Sequence, residues 1–395
     1  MTLHVPSGRT APVRAFSGIM AVAHIEPDTA DPVDSLTEAF ADALMAQVLI
    51  FAPTLTQLET LIGAAQILCP DTPITGCTTA GQIGTSGYED DRAVVVGLPQ
   101  AHFATRSVVV EDLARIDAQG LIDQLVQTRT SLERARRDMS SGFAFLLVDG
   151  LSLREDVLTA MIAPGIGSWP LFGGSAGDGA RFSETFVAHE GRLLRNAAVV
   201  TFVATNCETE VFSLNHLEPT DQRMVVTDAD PERRIVKEIN AEPAAREYAR
   251  IVGKDPDQLD EFTFAAHPVV VRLGDTHHVR AIQRVNDAGE LVFFAAIDEG
   301  MVLTMATPTD IAQHLDQRLG ALHSGDAPFE VLACDCILRR IEAEQVQALH
   351  RVSEVLARHK VVGFSTYGEQ IGTMHVNHTM TGVALRKPAA TASQA

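Results

Sequence analysis

The sequence predicts an α/β fold of two mixed-sheet lobes flanked by helices, and three observations carry that prediction. Short, continuously apolar runs such as VLIFAP (48–53) and GFAFLLVDG (142–150) read as buried strands. Segments of helical periodicity alternate with them, the β-α-β rhythm of a layered α/β domain. A glycine-rich frame occurs twice, as GCTTAGQIG (76–84) and GFSTYGEQIG (363–372), the second with one extra residue. The echo predicts related, pseudo-duplicated lobes with both loops in comparable places at a shared cleft.

The elements follow in order. Asp31 and Pro32 are an N-cap and a first helical residue, opening a helix through Leu36, Phe40 and Leu44. TQLETLIGAAQIL has helical periodicity, and PITGCTTAG (73–81) is a strand running into a loop. AVVVGL (93–98) and VVV (108–110) are further strands, and a polar helix spans about Asp117 to Arg137. ETFVAHEGRLLRNAAVVTFVAT (184–205) is a hairpin turning at Glu190-Gly191. HPVVVRL, VRAIQRV and LVFFAAI are strands, followed by a helix with the inner stripe Ile311, Leu315, Leu319 and Leu322. VLACDCIL is a strand, 341–358 a helix, and GFSTYGEQIGTMHVNHTMTG (363–382) the last strand. The expected organisation is an arm (1–20), an N-terminal domain (21–228), a C-terminal domain (229–386) and a disordered tail (387–395), with the boundary at the polar stretch DADPERR.

Composition bounds the function. A chain of 395 residues suits two domains, and 46% hydrophobic with 21% charged residues is an ordinary globular balance. No run reaches the roughly 20 apolar residues that span a bilayer. The N-terminus lacks the apolar core of a secretory signal, so a cytoplasmic location is expected, without membrane insertion. Five cysteines, at 69, 77, 207, 334 and 336, have no framework spacing, which suits a reducing compartment. A formal charge of −20 argues against nucleic acid as a partner.

Several residues could carry chemistry. The glycine loops, FGGSAGDG (172–179) among them, expose backbone N–H groups but lack the Lys-(Ser/Thr) ending of a phosphate loop. Cys77 reads better as a small buried residue than as a nucleophile, and Cys334 and Cys336 as structural thiols rather than metal ligands. Arg339 and Arg340 follow a buried strand and either grip a ligand anion or pair with Glu342, Glu344 or Glu369. Among fourteen histidines, His267, His375 and His378 stand out for their apolar or polar-strand settings. In an extended strand His375 shares a face with Asn377 and Thr379, and His378 with Met374, Val376 and Met380. A buried histidine is most often hydrogen-bonded core, yet one axial imidazole with apolar walls and arginines also suits haem. Without Cys-x-x-Cys-His, such a haem is non-covalent.

GCTTAGQI, FGGSAGDG with its hairpin, and GFSTYGEQIG…N…TMTGVAL resemble the FIST superfamily of bacterial sensory proteins over nearly the whole chain. AHPVVVRLG, LVFFAAIDEGMVLTMA, CDCILRRIEAE and the terminal stretch look most like its nitric oxide-sensing branch. The resemblance implies a sensor rather than an enzyme, holding non-covalent haem b, responding to nitric oxide and modulating a sensor histidine kinase in biofilm or cyclic-di-GMP signalling. It also implies a pocket between lobes with His375 as the first choice of axial ligand, His267 the second and His378 the third. Arg339, Arg340, Tyr367, Glu369 and Asn377 would stand around the same haem. Where the branch has MHVNQT, this chain has His378 in place of Gln. Homo-oligomers are compatible with this reading. Two rival readings remain: a FIST domain binding another small ligand, such as an amino acid derivative, and an enzyme using Cys77 or a Glu369–His375 pair.

Overall fold

The computed structural model describes residues 16–273, 276–323 and 328–387. The expected arm therefore lies outside the described residues up to 15, and the expected tail from 388 onwards.

The chain forms three equivalent units and one insert. The first unit comprises β1 (Ala21–Ile25), α1 (Pro32–Phe40), β2 (Met45–Ala52), α2 (Leu55–Leu68), β3 (Ile74–Thr78), β4 (Gly81–Gly84), β5 (Gly87–Glu89) and β6 (Ala93–Pro99). The second repeats it with β7 (Phe103–Val110), α3 (Ala118–Ala135), β8 (Ser141–Val148), α4 (Glu155–Ile166), β9 (Leu171–Ser175), β10 (Val187–His189), β11 (Arg192–Leu194) and β12 (Ala198–Thr205). The third opens with β13 (Glu208–Leu214) and is then interrupted. Its insert holds β14 (Leu217–Asp230), β15 (Ile235–Ile239), β16 (Glu242–Pro243), α5 (Ala244–Val252), α6 (Glu261–Ala266), β17 (Val269–Leu273), β18 (Thr276–Val279), β19 (Ile282–Val285), β20 (Leu291–Phe293) and β21 (Val302–Pro308). The third unit resumes with α7 (Ile311–Leu322), β22 (Phe329–Cys336), α8 (Ile337–Gln345), α9 (Leu349–Arg358), β23 (Val361–Thr366), β24 (Glu369–Ile371), β25 (Met374–Val376) and β26 (Met380–Arg386).

The units exchange hairpins. Their six-stranded sheets have the orders β1-β6-β2-β3-β10-β11, β7-β12-β8-β9-β24-β25 and β13-β26-β22-β23-β4-β5. In each, the second and third strands of the unit run parallel, and the neighbouring unit's hairpin adds antiparallel to the third. The duplication read from two glycine frames is thus part of a threefold repetition, whose third copy is FGGSAGDG. That copy lacks the Gln-Ile-Gly ending, which hid it among turns.

Both faces of each sheet are covered, so the strands read as unbroken apolar runs. Their inner faces meet at the centre of the molecule. There Phe51 of the first sheet stacks on Phe364 of the third at 4.5 Å between centroids and meets Phe145 of the second edge-on at 6.5 Å. Outside, Leu36, Phe40 and Leu58 cover the first sheet, Leu125, Leu158 and Ile162 the second, and Leu315, Val352 and Leu356 the third. The helices start where their caps dictate. Asp31, Thr54, Asp117 and Asp310 each accept a backbone N–H of the first turn on a side-chain oxygen.

The insert is an eight-stranded sheet with its own core, including Tyr248, Phe264, Leu291 and Phe293. Residue 228, the expected domain limit, falls inside β14, after β13 has already begun the third unit. The Glu190-Gly191 hairpin is present, with φ of 48° and 79° at the two turn residues. Two expected elements differ. The helix over 341–358 is two helices, broken where Gln347 takes φ 55°. The single last strand is β23, the exchanged hairpin β24–β25 and the start of β26, because Gly372 (φ 57°) turns the chain back between β24 and β25.

Candidate ligand site at the junction of insert and exchanged hairpin

The three glycine loops converge. Gly177 N–H donates to Thr78 O (3.0 Å), Ala80 N–H to Ser365 O (2.9 Å) and Ser175 N–H to Gly368 O (2.8 Å), so each loop is bonded to the other two. A Cβ on Gly177 would stand 2.7 Å from Ala80 N, so this approach needs glycine. Residues 81–83 pair directly with 363–365, placing the two frames side by side.

The β24–β25 hairpin presents two faces. Gln370 pairs with His375, and Glu369 with Val376, so His375 and Glu369 point to opposite sides. On the first face, Gln370 Nε2 lies 3.2 Å from His375 Nδ1 and 2.9 Å from Ser175 Oγ. His375 Nε2 and both amide atoms of Asn377 have no partner, although both residues are buried. Burial pushes the His375 pKa down, so the ring is neutral; the Gln370 amide nitrogen only donates, so Nδ1 accepts and the ring proton sits on the unpartnered Nε2. The ring is closely held: a Cβ on Gly368 would stand 2.3 Å from His375 Cε1 and 2.8 Å from Asn377 Nδ2. Arg280, from the insert, reaches the same place and donates to His375 O at 3.3 Å. Beside it lies an apolar cluster that includes Ala281, Ile337, Leu338, Phe182 and Phe294.

On the second face is a buried ionic network. Arg339 Nε donates to Asp335 Oδ1 at 2.7 Å, and the Tyr88 hydroxyl donates to the other Asp335 oxygen. Arg339 Nη1 meets His216 Nδ1 at 2.9 Å, while Glu342 joins His216 Nε2 (2.8 Å) to His378 Nε2 (2.6 Å). Burial pushes Glu342 up, but the hydrogen bonds from both histidines outweigh it and hold the carboxyl at about 2. Glu369 accepts from Thr366 Oγ1, and burial pushes its pKa well above the carboxylate range.

His216, Glu342 and His378 bring their ligand atoms within 4.8 Å of one another, a set that could hold a metal ion. Arg339 decides the proton. A guanidinium only donates, so His216 Nδ1 accepts and its proton sits on Nε2, the atom a metal would need. The cluster is therefore set up as a hydrogen-bonded network.

This network predicts acid sensitivity. Burial and Arg339 hold the folded His216 pKa down at about 4, against 6.5 for an unperturbed histidine. The unfolded chain takes the proton first, so stability is lost as pH falls from 6.5 through 4, by up to roughly 3 kcal/mol. His216→Gln, which still donates to Glu342 and accepts from Arg339, should flatten urea midpoints measured between pH 7 and 4.5. An unchanged slope would move the effect elsewhere.

The remaining expected site residues are dispersed. His267 is on the insert as the C-cap of α6, half-buried, with its carbonyl accepting the Tyr248 hydroxyl at 2.7 Å. Arg340 pairs with Asp90 at 2.5 Å and Glu344 at 3.3 Å. The Tyr367 hydroxyl donates to Asp178 and accepts from Phe182 N–H at 3.2 Å, tying two glycine loops together. Cys77 is fully buried, and burial pushes its thiol up, away from the nucleophilic form. Residue reading missed Arg280, Asp335, His216 and Tyr88. Asp335 had a signal, as a carboxylate between two cysteines on an apolar strand.

Family models describe this arrangement: the FIST N domain matches residues 46–242 and the FIST C domain residues 244–372. The chain belongs to the FIST family. FIST domains mark sensory signalling proteins. The FIST N range ends within the insert, just past β15, and the FIST C range takes in the rest of the insert and the chain through β24. A comparison with curated proteins finds no match. No helix of this FIST protein, among the described residues, is long and apolar enough to cross a membrane.

Proposed function

We propose that the protein is a cytoplasmic haem-based nitric oxide sensor that modulates a partner histidine kinase, with His375 as the ligand of the iron. The reading rests on one observation: His375 is a neutral buried imidazole with Nδ1 held by Gln370 and Nε2 free. A metal-bound histidine donates from its other ring nitrogen, so iron at Nε2 would require the Gln370 amide turned to present Oε1, which has no partner, to Nδ1–H. With the amide in that orientation the donor set would suit non-covalent haem b, with Phe182, Phe294, Ile337 and Leu338 as apolar walls. His378 ranks lower because its Nε2 is engaged by Glu342, and His267 because it lies outside the hairpin. Bound haem would supply the open iron position at which nitric oxide binds.

The chain's own part is transmission. The hairpin carrying His375 belongs by sequence to the third unit and by pairing to the second sheet. It leads into His378, which Glu342 links to His216. His216 lies between β13 and the insert, and its carbonyl accepts Thr309 N–H and Oγ1, both at 2.9 Å, where the insert returns. A shift of the hairpin thereby acts on both roots of the insert, giving a kinase a surface that changes with the ligand.

The close approach of His375 and of Asn377 to Gly368 favours a second reading, a small polar ligand such as an amino acid derivative. Absorption separates the two. Protein made with ample haem, or supplied with hemin, should show a Soret band that shifts with nitric oxide, and kinase autophosphorylation should change with the same titration. Protein that stays colourless and takes up no hemin would sink the first reading.

A further inference from the structure

Among the described residues four arginines are deeply buried, and three of them have carboxylates in contact. Arg234 meets Glu155 at 2.5 Å, Arg339 meets Asp335 at 2.7 Å and Arg340 meets Asp90 at 2.5 Å. Arg280, only 7% exposed, has no carboxylate within 4 Å among the described residues. Its Nη1 donates to two main-chain carbonyls, Val279 O and His375 O, each at a long 3.3 Å. Its Nε–H donates to nothing. A buried guanidinium cannot shed its proton and is costly to bury without a counter-charge. A second, independent observation lies alongside. The residue whose carbonyl Arg280 touches, His375, and its neighbour Asn377 carry further buried atoms without partners: Nε2 of the one and Nδ2 and Oδ1 of the other.

We propose that Arg280 is the seat of a carboxylate belonging to the ligand, with the Asn377 amide as a second donor. Planar guanidinium and carboxylate match in geometry, and Nε with one Nη is the edge that binds both oxygens. The contacting counter-charge that Asp156 and Asp298 do not supply, acting only from a distance, is then the ligand's. This deepens the reading that the junction binds a ligand, and it holds for either source of the group: a porphyrin propionate or a free small acid. It also explains why the insert supplies the arginine. Arg280 lies between β18 and β19, so occupancy of the seat ties the insert to the exchanged hairpin.

The test uses the full chain as wild type, Arg280→Gln and Arg280→Lys. Hemin and hemin dimethyl ester are titrated by absorption. Acetate and acetamide are titrated by the Nε–H resonance in protein labelled with nitrogen-15 arginine. The expected result is a preference for acid over uncharged counterpart on the order of 10-fold in at least one pair, lost in Arg280→Gln and partly kept in Arg280→Lys. Acid preference with acetate alone would retain the seat while removing support for haem. Equal binding of hemin and its ester, with no acetate response, would overturn the seat while leaving haem standing. Unliganded Arg280→Gln should melt no lower than wild type, because an uncompensated charge has been removed. A drop of several degrees with acid preference intact would make Arg280 structural and overturn the proposal.

Discussion

Arg339→Met is expected to cost about 3–5 kcal/mol of stability, the largest effect of any single polar substitution in the molecule. Arg339 is fully buried, and so is its partner Asp335, 2.7 Å away. Burial alone would favour a protonated Asp335; the guanidinium, charged at every pH the fold meets, and the Tyr88 hydroxyl oppose it. Removing the arginine leaves that carboxylate with only the Tyr88 hydroxyl, and the lone pair of His216 Nδ1 with no donor, in a dry interior. A urea midpoint lowered in proportion, with an unchanged slope, would meet the expectation. The double variant Asp335→Leu with Arg339→Met should recover much of the loss, since an apolar pair of similar volume often replaces a buried ion pair without penalty. If the single variant costs under about 1 kcal/mol, water must reach this region and its low-dielectric character is wrong.

The same substitution separates two roles that the sequence left open for Arg339. As a haem propionate partner it would be free in the protein alone; instead three of its nitrogens face inward, two of them bonded and only Nη2 without a partner. Arg280 has the opposite balance. In the sequence the two differ by little: CDCILRR places a basic pair after an apolar strand, while VRAIQRV sets single arginines between apolar residues. Counter-charges decide between them: Asp335 lies four residues from Arg339 and in contact with it, whereas Arg280 has no acid within four residues and Asp156 and Asp298 act on it only from beyond contact. The first fact was legible; the second depends on how β18 and β19 are folded against a hairpin 95 residues away.

Local signals carried the elements well. The stripe Ile311, Leu315, Leu319 and Leu322 is buried along α7, and Asp117 caps α3 as its spacing predicts. What periodicity cannot express is which sheet a strand joins. Residues 363–382 read as one strand although Thr, Glu, Gln and His come in quick succession with glycines between them. Their polarity instead reflects a hairpin that leaves its own unit, closes the second sheet and carries side chains into the junction. The repeat count was misjudged for a related reason. The loop at 172–179 keeps the glycines that close approach demands but not the Gln-Ile-Gly of the exchanged strand, where Val187 takes the place of Glu369. His216 left no local trace at all, since its partner Glu342 is 126 residues away.

His375→Ala is expected to lower retention of added hemin on the order of 100-fold or to abolish the Soret band, with the far-ultraviolet circular dichroism of wild type. Loss of even an outer partner of a metal-binding histidine costs about 10- to 100-fold, so loss of the imidazole itself should cost no less. The substitution leaves only the space of a neutral ring whose single side-chain partner is Gln370, so the fold should tolerate it. Added imidazole entering that space should restore the band, which distinguishes a lost ligand from a collapsed site. The other two histidines predict different signatures. His378→Ala should leave the spectrum nearly unchanged but destabilise the protein by about 1–3 kcal/mol, because Glu342 loses a buried donor. His267→Ala, at a half-buried helix end, should change neither. A spectral change confined to His267→Ala would transfer the ligand to the insert. A wild-type spectrum from all three variants would remove the hairpin from haem binding altogether, leaving its unpartnered atoms to a small polar ligand.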